Sequence, residues 1–393
     1  MAATTTTLWD EYAKLDGMLS GPALTRFQDN LLGWFSQFQR DLPWRLTRDP
    51  YRIWLSEIML QQTRVAVVIP YYERFVQRFP TVQSLAEAPE EEVLRLWSGL
   101  GYYSRARNLQ KAAQTIVAEH RGEFPRDVEA ALGLPGIGAY TAAAILSIAY
   151  QEKLAVLDGN VARVLARVGA VRGDLRANGT WPKLQKTADQ VLDEKSPGDW
   201  NQAMMELGAT LCTPRSPQCL LCPVSEFCEG RKRGLTDEIP AKRVKRETVE
   251  ITLAALVLVD SRRKTLLLPP PKKEKNSATT DADDVPTLVS RMWHFPTISL
   301  KREAAAAELR NFARKSIFGD RKIGAEFVAL KPVRHTVTYR SITTFPFLGR
   351  VAKLPKVSGS RVLALQDLSE IAISNLTRKV ARAAEKAISP AGG

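Results

Sequence analysis

Between Leu134 and Ser147 the chain reads LPGIGAYTAAAILS. Gly136 and Gly138 punctuate a tight turn, and from Thr141 to Ala149 the run TAAAILSIA is apolar on every side. A helix that is apolar all round belongs at the centre of its domain. No strand precedes the turn and the third glycine of a dinucleotide fingerprint is missing, so the turn joins two helices. Without side chains, Gly136 and Gly138 let backbone N–H groups approach phosphate oxygens, and the helix N-terminus that follows adds positive potential. On the motif alone, a glycine-rich turn with no ligand is the simpler reading.

The residues on either side are also helical. Apolar residues at helical spacing predict helices over Leu24–Phe38, Tyr51–Val68 (ending before Pro70), Tyr71–Phe79, Glu90–Trp97 and Ala106–His120. Beyond the central helix they predict Val161–Val168, Trp181–Leu192 and Trp200–Ala209. Residues 231–247 are crowded with Lys and Arg and hold Pro240, which reads as a basic linker. From Thr248 the period becomes that of strands: ITLAALVLV, a turn at Asp260–Arg263, then TLLL. Lys272–Pro286 is polar and low in aromatics, a composition that predicts disorder. Glu303–Phe318 reads as a helix, Phe327–Val351 as two or three strands and Asn375–Ile388 as a closing helix.

The chain has 393 residues, enough for two or three domains. Its 56 Lys+Arg exceed 42 Asp+Glu, a formal net charge of +14, which suits a polyanionic partner as well as a plain basic enzyme. The longest apolar stretch, Ala139–Tyr150, is too short to span a bilayer, and no membrane partner is expected. The Ala/Thr-rich start, Met1–Leu8, lacks the features of a signal peptide. A reducing compartment is the expectation: the bacterial cytoplasm, or the nucleus if the source is eukaryotic.

All four cysteines, Cys212, Cys219, Cys222 and Cys228, lie in one short loop. Such a set can ligate one tetrahedral zinc or one iron–sulfur cluster; only one gap is Cys-x-x-Cys, whereas zinc ribbons pair two such knuckles. Two acids stand out. Glu57 lies in WLSEIMLQQT with mainly apolar helical neighbours, where a carboxylate either pairs with a cation or holds a proton. Asp158 opens DGNVARVL, where helix capping accounts for it. Singly each acid is structural; together they offer the protonated acid and the anion that glycosidic cleavage requires.

These stretches together resemble the MutY family of adenine DNA glycosylases, in the helix-hairpin-helix superfamily. The resemblance runs from Phe27 to Cys228 through LPWR (Leu42–Arg45), SEIMLQQTRV (Ser56–Val65), GLGYYSRARNL (Gly99–Leu109), the hairpin, VLDGNVARVLAR (Val156–Arg167) and NQAMMELGATLC (Asn201–Cys212). It implies an all-α glycosylase domain over residues 23–230, a six-helix barrel plus a cluster domain with the [4Fe–4S] loop at 212–228. Residues 1–22 would be an N-terminal extension, 248–388 a smaller α+β MutT-like (Nudix) domain lacking the hydrolase glutamates, and 389–393 a tail.

The resemblance also implies roles. Glu57 protonates an extruded adenine, Asp158 stabilises the cationic sugar, Asn160 positions these groups and Tyr140 hydrogen-bonds beside them. Gln62 and Tyr102 wedge into the duplex, and Leu134, Gly136 and Gly138 grip a strand. Thr338, in RHTVTYR (Arg334–Arg340), faces the oxidised base. The implied partner of a monomeric enzyme is double-stranded DNA carrying adenine opposite 8-oxoguanine or guanine. Endonuclease III-like relatives carry a Schiff-base lysine where Tyr140 stands, which favours a glycosylase without lyase activity. The alternatives are a thymine/guanine mismatch glycosylase and an endonuclease III-like glycosylase/lyase.

Overall fold

The computed structural model describes residues 19–241, 247–270, 292–300, 305–319 and 324–388. The predicted disordered stretch Lys272–Pro286 and the tail lie outside these residues, as do most of the N-terminal extension and part of the linker. Contacts divide the chain into two compact units. The first comprises residues 1–87 and 108–244, and the second residues 88–107 and 245–393.

In order, the helices are α1 (Gly21–Phe38), α2 (Pro50–Leu60), α3 (Val65–Arg78), α4 (Val82–Glu87), α5 (Glu90–Trp97), α6 (Ser104–Glu119) and α7 (Val128–Gly133). They continue as α8 (Ala139–Tyr150), α9 (Gly159–Val168), α10 (Thr180–Val191), α11 (Pro197–Thr210) and the single turn α12 (Glu229–Lys232). The apolar helix α8 is central as its sequence demands, with Thr141, Ala142 and Ala144–Ile148 buried. Burial of such side chains, roughly 1.5–3 kcal/mol each, drives this unit together.

One boundary differs from the sequence reading. The predicted helix Tyr51–Val68 breaks at residues 61–64, where Gln62 takes φ 55°, and Pro70 lies inside α3. The left-handed residue ends the helix before the proline is reached. The short helices α4 and α7 escaped the periodicity because six residues hold fewer than two turns. Among the described residues no helix is long and apolar enough to cross a membrane.

The second unit holds a mixed sheet of β1 (Val249–Val259), β2 (Lys264–Leu267), β3 (Thr297–Ser299), β4 (Phe327–Ala329), β5 (Val333–Val337), β6 (Arg340–Arg350) and β7 (Arg361–Ala364). The spine runs β4-β6-β1-β2-β7, with β3 on β1 and β5 on β6. Strands β1 and β6 pair in parallel, Val249 opposite Arg340 through Val259 opposite Arg350; the other pairs are antiparallel. Strand β1 is buried on both faces because each is covered by its own cluster. Leu256 and Leu258 pack with Leu309 of helix α13 (Ala305–Phe312), and Val257 and Val259 with Val380 of α14 (Asn375–Ile388). This is the smaller α+β unit expected from the sequence.

The division departs from the expected 23–230 domain in one segment, residues 88–107, which groups with the C-terminal unit. Hydrogen bonds explain it. Ser98 Oγ donates to the Ile373 carbonyl at 2.9 Å and accepts from Arg378 Nη2 at 2.6 Å, and Asn375 Nδ2 reaches the Gly99 carbonyl at 3.2 Å. Glu91 accepts from Trp293 Nε1 at 3.1 Å and pairs with Arg361. Partners more than 200 residues apart leave no local signal in the sequence.

Candidate active site

The helical unit encloses a cavity of about 510 Å³, within the range of small-ligand sites. Helix α2 starts on Pro50, capped by Asp49, whose side chain accepts from the Tyr51 N–H. It delivers Glu57 to the cavity wall, 6% exposed. Helix α8 starts at Gly138, where no side chain caps the first turn, and places Tyr140 in the same wall. The Tyr140 hydroxyl donates to Glu57 Oε2 at 2.7 Å. Burial pushes the Glu57 carboxyl up to about 7. The Tyr140 bond and the Arg45 charge pull it back, and the Asp158 charge adds to the rise. The carboxyl therefore keeps its proton near neutrality, as a general acid must.

Asp158 is the N-cap of α9. Its Oδ1 accepts from the N–H groups of Asn160 (2.9 Å) and Val161 (2.7 Å), and its Oδ2 from Asn160 Nδ2 at 2.9 Å. Three donors converge on one carboxylate and fix its orientation. The expected capping role and a place in the cavity wall thus coexist. The segment leading into Asp158 is pinned by buried Asn201, which donates to the Leu154 carbonyl (2.7 Å) and accepts from the Val156 N–H (3.0 Å). Asn160 is held from its other side by Arg163 Nη2 at 3.0 Å. Helix α11 approaches so closely here that a Cβ on Gly208 would stand 2.7 Å from Asn160 Cβ.

A second charged group in the cavity was not read from the sequence. Glu206, 1% exposed, accepts two bonds from the Arg40 guanidinium, each at 2.7 Å, one from the Arg40 backbone N–H at 3.2 Å and one from Arg45 at 2.8 Å. Burial raises its pKa, but the bonds from Arg40 and Arg45 outweigh it and hold the carboxyl at about 2. LPWR carries Arg45 and NQAMMELGATLC carries Glu206, and an acid within an apolar helical run was the available signal. The ion pairs fix Arg40 and Arg45 in the wall of the cavity that Glu57 also lines.

Three exposed candidates other than glycine share a backbone feature. Gln62, Tyr102 and Thr338 have φ of 55°, 48° and 55°, the left-handed region that costs a non-glycine residue of order 1–3 kcal/mol. Gln62 lines the cavity. Tyr102 lies in the other unit, 40% exposed, and Thr338 opens the two-residue turn between β5 and β6. Gly136 also has positive φ, 81°, and a Cβ there would strike Asn108 Cβ at 2.8 Å, so only glycine fits. Leu134 differs from the rest: its side chain is 3% exposed and belongs to the core, which leaves its backbone alone for any contact with DNA.

The four cysteines line one separate cavity of the helical unit. Two donors point at their sulfurs, Arg167 Nη1 at 3.3 Å from Cys212 Sγ and the Arg231 N–H at 3.4 Å from Cys228 Sγ. Four thiols around one space, with a cation and a backbone N–H directed at sulfur, fit an anionic thiolate cluster.

Residues 55–188 match the model of the HhH-GPD superfamily base excision DNA repair proteins, and residues 212–228 that of the iron–sulfur binding domain of endonuclease III. Residues 55–188 thus carry an HhH-GPD domain, and the loop that holds Cys212, Cys219, Cys222 and Cys228 is an iron–sulfur binding domain consistent with a [4Fe–4S] cluster. Within the superfamily the similarity is to adenine DNA glycosylases. The chain is 51% identical over 219 residues to that of Rattus norvegicus, which covers 53% of this chain and 42% of the relative. It is 36% identical over 330 residues to that of Arabidopsis thaliana, covering 76% and 51%. The matches thus span about half, or less, of these relatives. A solved thermostable thymine-DNA glycosylase is 30% identical, covering 53% of this chain and 97% of that one, with a TM-score of 0.49.

Proposed function

We propose that this protein is a glycosylase that excises adenine mispaired with 8-oxoguanine or guanine in duplex DNA and leaves an abasic strand uncut. The observation that carries the reading is the pairing of a proton-holding Glu57, bonded to Tyr140, with the capped carboxylate of Asp158 in one cavity. The base is reached only when the nucleotide leaves the stack. Glu57 then gives its proton to the base, which becomes a neutral leaving group. The Asp158 carboxyl group stands beside the cationic sugar until water captures it and completes the hydrolysis, and Asn160 holds that group in place. The cluster fastens the 212–228 loop to the helices and takes no part in the cleavage.

Tyr140 occupies the position of the lyase lysine and has no amine to form a Schiff base. Tyr102 and Gln62 enter the duplex near the opposite base, the hairpin at Gly136 and Gly138 grips the strand, and Thr338 reads the oxidised base. The protein acts as a monomer. The test is incubation with duplexes carrying adenine opposite 8-oxoguanine, guanine, thymine and cytosine, with and without alkali. Cleavage only after alkali, strongest for the first two, is expected. Cleavage without alkali, or of thymine opposite guanine instead, overturns the proposal.

A further inference from the structure

A groove in the C-terminal unit carries a charge pattern that the reactions at Glu57 do not use. It is a cavity of about 660 Å³ between one face of α14 and the start of β5 with its preceding loop. Lys379, Arg382 and Lys386 follow at three- and four-residue spacing, so they share a helix face, and Lys331 and Arg334 confront them from the strand side. All five are exposed, and among the described residues no acidic residue lines the groove. The walls are joined, since Lys379 Nζ donates to the Arg334 carbonyl at 2.8 Å. The floor between the cations is apolar, with Val333 and Ala383 in it.

Five like charges around one groove repel one another, and an anion with several charges relieves that repulsion on entering. Their placement says which. Along β5 the residues alternate, and Arg334 and Thr336 are exposed on the same face; Thr338, exposed in the turn that follows, continues the row. At roughly 3.3 Å per residue, Arg334 lies about 13 Å from Thr338. One strand of a duplex advances about 3.4 Å per phosphate, so that row spans about four nucleotides.

We propose that this groove binds the sugar–phosphate backbone of the DNA, several nucleotides from the base that the Thr338 turn meets. The proposal rests on the reading that this turn faces the duplex. The cations take the phosphates and the apolar floor the sugars. The groove adds affinity without sequence preference, because phosphates position and do not specify.

The experiment uses the full-length, cluster-loaded protein and its triple variant Lys379→Ala, Arg382→Ala, Lys386→Ala. Dissociation constants for a duplex with adenine opposite 8-oxoguanine are measured over a series of salt concentrations. Each lost phosphate contact lowers the slope of log K against log salt by about 0.9, so the triple variant should lose about 2 to 3. The pair Lys331→Ala, Arg334→Ala on the opposite wall should lose about 1 to 2, which guards against a folding defect in α14. Single-turnover excision at saturating DNA should be unchanged. A duplex cut short on the groove side should bind wild type and variants alike. Unchanged slopes in both variants overturn the proposal and leave an acidic protein segment as the occupant, whereas a wild type that releases no adenine overturns the functional reading whatever the slopes.

Discussion

Arg163 donates Nη2 to Asn160 Oδ1 at 3.0 Å while its Nε holds the carbonyl of Cys212, the first cluster ligand, at 2.8 Å. One guanidinium therefore links the cysteine loop to the amide that fixes Asp158, with the Gly208 carbonyl (2.7 Å) as a third acceptor. Replacing Arg163 by Met removes these three bonds, and that of Nη1 to the Gly159 carbonyl (3.3 Å), at similar side-chain length. A hydrogen bond to a charged group contributes about 1.5–3 kcal/mol, so the excision rate constant should fall about tenfold or more. Single-turnover kinetics on protein with the wild-type iron content is the measurement. An unchanged rate would show that Asp158 keeps its place without this link.

The raised pKa of Glu57 fixes the direction of two pH effects. As a general acid it must be protonated, so excision should be flat below pH 7 and fall about tenfold per unit above it, as its pKa of about 7 requires. Its effect on stability has the same sign. A carboxyl with a raised pKa stabilises the fold below its unfolded value, and that contribution is lost as pH rises through 7. Glu57→Gln, neutral throughout, should abolish excision yet be more stable than wild type at pH 8, by on the order of 2–3 kcal/mol, with little difference at pH 4.5. Denaturant titrations of both proteins at the two pH values check it, and equal stability at pH 8 refutes the buried-acid account.

Glu206 has the opposite sign. Its carboxyl is held at about 2, so its ion pairs contribute above the unfolded carboxylate range and that contribution is lost as pH falls toward 2. Glu206→Ala leaves Arg45, 11% exposed at the side chain, without its anion. Removing one partner of a buried pair costs about 3–5 kcal/mol; Arg40 is 39% exposed and water screens its share, which favours the lower figure. Thermal unfolding at pH 7 measures the loss, and at pH 3 the gap between variant and wild type should narrow. A gap independent of pH would mean that the ion pairs are not its source.

Much of this was legible in the sequence because it is local. The all-apolar run Thr141–Ala149 announced the central helix, Asp-Gly-Asn announced a cap, and the apolar setting of Glu57 announced a shifted pKa. Asn375–Ile388 was bounded correctly because its periodic stripe is strong and uninterrupted. What escaped depends on distance along the chain. Glu206 meets Arg40 across 166 residues, and Ser98 meets Ile373 across 275, so no window of sequence contains either pair. The break at Gln62 escaped for another reason: a glutamine in left-handed backbone carries no glycine or proline to mark it.

The segment 88–107 gives the last prediction. Tyr102 sits in it at φ 48°, a conformation that neighbouring contacts must maintain. Those contacts come from the end of the chain: Arg378 Nη2 holds Ser98 Oγ at 2.6 Å and Asn375 Nδ2 holds the Gly99 carbonyl at 3.2 Å. Replacing Arg378 by Ala removes a charge-assisted bond while sparing the Ser98 bond to the Ile373 carbonyl, so the segment should stay docked but loosen. A bond of about 1.5–3 kcal/mol corresponds to roughly ten- to a hundredfold in local opening. Amide hydrogen exchange at residues 98–103 should accelerate by about that factor, with the exchange of β1 unaffected. Affinity for mismatched duplex should fall with it, because Tyr102 would no longer be held ready to enter. If exchange at 98–103 is unchanged, the left-handed backbone at Tyr102 is held without help from Arg378.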